Sequence, residues 1–191
     1  MSPFEFVTIF CSLIVGLALS HILQAVTDLY EIRERVKTYW LNSLWVGTVT
    51  MWSIYAWWGL WELSTDLDTW KYYQYWFIVT NLASIYFFTT LVLPKATDEG
   101  IIDLETHYYS VHRAFFSIVA FSLFSSVAVN YSLFDKAMFS EMTIMPFIVG
   151  CAAVSAAITD SKLFHKIIGV FMFVMFIAFQ LMDETKIEFV V

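Results

Sequence analysis

Long apolar runs separated by short polar turns set the pattern of this chain. Six stretches, at about residues 4–30, 39–63, 70–93, 114–134, 142–159 and 163–182, are predominantly apolar. A helix needs roughly 20 such residues, at about 1.5 Å each, to cross the hydrocarbon of a bilayer. The pattern therefore predicts an all-α fold: one transmembrane domain over residues 1–191, an integral membrane bundle of six transmembrane helices. The fifth stretch is the shortest and is rich in small residues, so the topology turns on whether it crosses. The connections are tight except for residues 95–113, which read as one long loop. Residues 1–5 carry no positive charge and the first apolar stretch is longer than a signal-peptide core, which predicts a span there rather than a cleaved leader.

The first stretch has a side that is not apolar. Thr8, Ser12, Gly16 and Ser20 recur every fourth residue. Steps of four advance 40° beyond a full turn, so the row winds slowly around one side of a helix. Small residues let a neighbouring backbone approach, and hydroxyls bond across the gap. The row is thus expected as a packing seam, with the wall of a conduction path as the sharper alternative. Further along, His21, Gln24 and Asp28 share a face at i, i+3 and i+7. An ionisable side chain inside a span marks a candidate for proton relay or cation binding. His21 is the deepest of the three and the main candidate, the competing expectation being a hydrogen bond to a neighbouring helix.

Composition strengthens the membrane expectation. The chain is 60% apolar and 14% charged, against about 25% charged residues in soluble domains, and its mean hydropathy is +0.70. The net charge of −7 and scattered Lys and Arg offer no basic stripe to follow phosphates, so no nucleic-acid partner is expected. Cys11 and Cys151 lie inside apolar stretches with no metal-binding spacing.

Charge also predicts orientation. Arg33, Arg35, Lys37, Lys95, Arg113, Lys162 and Lys166 fall on one side of the six-span arrangement, and Lys71, Lys136 and Lys186 on the other. The richer side is expected in the cytoplasm, which places both termini outside. Trp57, Trp58, Trp61, Trp70 and Trp76 flank the connection between the second and third stretches, as an outer aromatic belt does. Glu62 would sit at that boundary as a possible cation entrance or a hydrated carboxylate. Asn81 is expected to bond between helices or to contact a transported solute. Arg113 would begin the fourth span as an interfacial anchor, able to pair with Asp103, Glu105 or Asp28.

Several chemistries find no footing. No arginine row, potassium-filter sequence, P-loop, GxSxG or HExxH occurs. His107 and His112 are five apart, about 140° on a helix, unlike an i, i+4 metal pair. No enzyme activity, metal or cofactor is expected.

The stretches FEFVTIFCSLIVGLALSHIL, RVKTYW, WWGLWEL and DLETHYYSVHRAFF resemble a set of short, Trp-rich polytopic bacterial inner-membrane proteins with no established activity. The resemblance covers about the first two thirds of the chain. It implies a bacterial inner-membrane setting and carries no catalytic residues. Taken together, the expected function is an ion or small-solute channel or transporter, homo-oligomeric and surrounded by membrane lipid. The alternative is a non-enzymatic membrane subunit, sensor or effector whose partner docks on the cytoplasmic loop 95–113.

Overall fold

The computed structural model describes residues 3–60, 72–97, 100–133 and 141–182. Six helices make up nearly all of it: α1 (Pro3–Glu31), α2 (Trp40–Gly59), α3 (Tyr72–Val92), α4 (Leu104–Leu133), α5 (Glu141–Ile158) and α6 (Lys162–Met182). Each of the six apolar stretches became a helix. A 3-10 turn at Arg33–Arg35 and a two-residue parallel pair, β1 (Val36–Lys37) with β2 (Ile102–Asp103), are the other elements among the described residues. That pair ties the α1–α2 connection to the α3–α4 connection.

Two boundaries differ from the sequence expectation. The fourth helix begins at Leu104, not at residue 114, so Arg113 lies about two and a half turns inside it and residues 104–113 of the expected loop are helical. The cause is Asp103. Its Oδ1 accepts the backbone N–H of Glu105 at 3.0 Å and of Thr106 at 3.1 Å, which satisfies two of the orphan donors at a helix start. The turns that follow bury Leu104, Tyr108 and His112, so packing holds them helical despite their polar sequence. The second helix ends at Gly59, not at 63: the Leu60 N–H bonds the Trp57 carbonyl at 3.2 Å and closes its last turn. The expected start of the third helix, at 70, lies outside the described residues.

Among the described residues, four helices are long and apolar enough to cross a membrane: α1, α3, α4 and α6, over Glu5–Glu31, Tyr75–Val92, Leu104–Ala128 and Lys162–Met182. α2 is diluted by Asn42, Ser43, Thr48, Thr50 and Ser53. α5 has 18 residues with Pro146 inside, about 27 Å of helix. The outer surface is that of a body immersed in lipid. α1 buries a stripe at Val7, Cys11, Val15, Ala18 and Ile22, while Leu13, Leu17 and Leu23 on its other side are 61–62% exposed. Water would not tolerate so continuous an apolar face, whereas hydrocarbon is indifferent to it. On length, composition and this surface, the chain is an integral membrane protein.

Packing centres on α4, which lies most extensively against α5 and α3. α1 sits against α3 and α2, and α6 against α5 and α2. Two glycines permit close approaches. A Cβ on Gly150 of α5 would come 2.9 Å from the Phe124 ring of α4, and one on Gly169 of α6 would come 2.5 Å from Cδ1 of Leu41 on α2.

Candidate ligand-binding cavity

α2, α3, α4, α5 and α6 line a partly open cavity of about 220 Å³. Its walls are aromatic and thioether. Trp52 and Tyr55 come from α2, Phe176 and Phe179 from α6, and Met145, Met172 and Met175 from α5 and α6. The Trp52 and Phe176 rings stack at 5.8 Å, and Tyr55 meets Phe176 and Phe179 edge-on at 6.5 and 5.8 Å. Pro146 borders the cavity, where it interrupts the regular hydrogen-bond ladder of α5. The polar lining is neutral: Thr48, Asn81, Ser126 and Asn130, with the Tyr55 hydroxyl and the Trp45 and Trp52 indoles. Among the described residues, no acidic or basic side chain lines the space.

Asn81 is the best-defined polar group there. Its Nδ2 donates to the Ser122 carbonyl at 2.8 Å and to Ser126 Oγ at 3.0 Å. The Ser122 carbonyl only accepts, so the amide must present its NH₂ to α4 and its Oδ1 the other way. The Ser126 hydroxyl in turn donates to the Ser122 carbonyl at 3.0 Å, and the Thr48 hydroxyl to the Leu44 carbonyl at 2.8 Å. Both hydroxyl protons are therefore committed to their own helices, and what these groups turn to the cavity is acceptor capacity.

At the end of the bundle that carries Arg33, Arg35 and Lys37, a second polar cluster closes the interior. His165 has no exposed surface, and both ring nitrogens are bonded. Nε2 is 2.7 Å from the Thr159 carbonyl, so it carries the proton, and Nδ1 accepts from the Tyr108 hydroxyl at 2.9 Å. Phe116 and His112 pack on the His165 ring at 5.6 and 5.0 Å. The Trp45 indole, which also lines the cavity, lies edge-on to Phe115 and Phe116. Its N–H sits beside the Tyr108 hydroxyl, but off the line of a hydrogen bond.

Ion pairs cover this layer. Arg113 grips both oxygens of Asp160 at 2.8 and 3.1 Å, and Lys162 reaches Glu105 at 2.7 Å. His112 Nδ1 lies 2.7 Å from the Tyr109 carbonyl. Its Nε2 is 3.2 Å from Asp160 Oδ1, a charge contact without hydrogen-bond alignment. The Arg113 hydrogen bond, followed by the charges of Arg113 and His112, holds the Asp160 carboxyl below its ordinary value. Asp103 is lowered as well, first by the Thr106 amide, then by the Glu105 amide and Lys37.

The residues singled out from sequence scatter. Asn81 reaches the cavity. Arg113 reaches the polar cluster, where it pairs with Asp160 rather than with Asp103, Glu105 or Asp28. His21 is half-buried on α1, 6.3 Å from the Tyr86 ring of α3, and reaches neither place. Asp28 is half-buried and Gln24 exposed. Thr8 and Ser12 lie half-buried at the edge of α1's packed face, while Gly16 and Ser20 are exposed, so the row follows no helix interface within the chain. Glu62 lies outside the described residues. Among those described, no three His, Cys, Asp or Glu side chains come close enough to hold a metal ion. Neither His165 nor the methionines is assigned a site role from sequence, because a histidine near a turn and apolar residues in an apolar helix give no local signal of what they face.

The fold and this interior define an all-α integral membrane protein with a ligand-sized cavity inside its bundle. No family model, curated protein or solved structure matches the chain.

Proposed function

We propose that the chain binds a small neutral solute inside its bundle and carries it, as a six-span protein of the bacterial inner membrane with its basic end in the cytoplasm. The observation that supports this reading is the cavity itself: about 220 Å³, bounded by five helices, with neutral polar groups set in aromatic and thioether walls. Pockets of that composition suit small molecules whose few polar atoms are matched one by one.

The cavity favours the solute over the ion among the species a transporter could take. Ion pathways need charged side chains or converging carbonyls to replace hydration, and no charged side chain lines this space among the described residues. It also favours a carrier over an open pore, because the bonded layer of Tyr108, His165 and Thr159 fills the interior at the basic end. A receptor is the second reading, and Trp45 favours it. This one side chain borders the cavity and packs on the closing layer, so occupancy could be felt at the basic end.

Proteoliposomes separate the two. For a carrier, re-swelling in a panel of small neutral solutes exceeds that of empty liposomes for at least one solute, and flux of sodium, potassium and chloride does not rise. Binding without accelerated flux selects the receptor. Ion flux through the protein without solute binding contradicts both.

A further inference from the structure

We infer that the cavity selects a neutral aromatic molecule bearing an O–H or N–H donor, of the phenol or indole class, whose donor bonds Asn81 Oδ1. This inference rests on the solute-binding reading above. Size is the first constraint. A cavity of about 150 Å³ takes up benzene, so about 220 Å³ has room for roughly nine heavy atoms. Wall chemistry is the second. Trp52, Phe176 and Phe179 offer ring faces and edges, and the thioethers of Met145, Met172 and Met175 make favourable contacts with aromatic rings while adapting to their outline. An aliphatic guest of equal size forgoes those ring contacts.

The polar handle is the third constraint and the most specific. With Nδ2 committed to Ser122 and Ser126 on α4, Oδ1 has no protein donor among the described residues and is left to the cavity that Asn81 lines. Thr48 and Ser126 have spent their hydroxyl protons on Leu44 and Ser122. A guest with only acceptors leaves Asn81 Oδ1 unpaired. A guest with a donor completes the site, in a setting where water competes poorly for the bond. Charged guests are disfavoured because no counter-charge awaits them.

The test compares p-cresol, 4-methylanisole and toluene on the purified full chain, followed through methionine-methyl NMR at matched free ligand concentrations. The first two ligands differ in whether the oxygen carries a proton or a methyl group, and both stay within roughly nine heavy atoms. The expected result is that p-cresol moves the methyl signals of Met145, Met172 and Met175 and binds about fivefold or more tightly than 4-methylanisole, the worth of one net hydrogen bond. Asn81→Ala should erase that preference while the three methyls still respond to toluene. Equal affinities for p-cresol and 4-methylanisole overturn the donor requirement and leave the cavity reading standing. A preference that survives Asn81→Ala overturns the role of Asn81. If none of the three ligands moves those methyls, the cavity reading fails as well. Should Asn81→Ala not fold, the ligand series on the unaltered protein still decides the donor requirement.

Discussion

His165 and His21 show how little a residue's identity fixes its role. Both are lone histidines in apolar helices. His165 is buried with two partners, whereas His21 rests half-buried beside a ring. Removing a partner from a buried polar group costs more than the bond's net worth, because the survivor is left dry and unpaired. Tyr108→Phe, which strands His165 Nδ1, is therefore expected to destabilise the protein by about 1–3 kcal/mol in detergent melts, and His165→Leu by about 2–4 kcal/mol. His21→Ala should cost less than either. A larger loss for His21→Ala than for Tyr108→Phe would show the closing layer to be misassigned.

Asp160 carries a pH signature. Its carboxyl is lowered on folding, by Arg113 first, so the folded state holds the charged form more tightly than the unfolded chain does. Its contribution is full above the unfolded value of about 3.9 and disappears as pH falls through the lower folded value. Melting curves of the unaltered protein and of Asp160→Asn should thus differ at pH 5 and converge in stronger acid. The exposed position of the pair, 66% and 67% for Arg113 and Asp160, keeps that difference small and sensitive to salt. A gap that widens with acid would mean another group is titrating.

At the scale of elements, the helices were legible because hydrophobic length is a strong signal in a membrane chain. The start of α4 was not, since Glu105, Thr106, His107 and Ser110 read as loop. The signal was present in Asp103, an N-cap residue followed by an acidic first turn and by Leu104, Tyr108 and Phe115 on one side. Asp103→Ala should speed amide exchange at Glu105 and Thr106 while leaving α4 beyond Phe115 protected. Unchanged exchange would mean that the β1–β2 pair alone holds this helix start. Close approaches, by contrast, cannot be read from a single chain. Gly169 gives no hint that Leu41 lies against it, yet Gly169→Val forces buried Leu41 aside and should cost about 1–3 kcal/mol.

At the scale of the whole molecule, sequence reasoning placed the functional weight on α1, the helix with a visible polar side. The structure places the cavity among the other five. The polar positions of α1 stand out because they interrupt an apolar run, but a pattern along one helix says nothing about which neighbours face it. The cavity is assembled from Trp52, Asn81, Ser126, Met145 and Phe176, which lie up to 124 residues apart in the numbering. Only Asn81 among them carried a local signal, as an amide inside an apolar span. Aromatic and methionine residues that line a cavity look in sequence like those that face lipid. Filling the cavity separates a binding site from a mere packing defect. Val149 of α5 borders the space, and a larger side chain there occupies volume that a guest would need.

Calorimetric titration with indole, on the unaltered protein and on Val149→Phe, decides whether the cavity is a binding site. One site per chain is expected in the unaltered protein, and loss of that site in Val149→Phe with its melting temperature held. An absence of saturable binding to the unaltered protein, or equal binding to a folded Val149→Phe, would contradict that assignment.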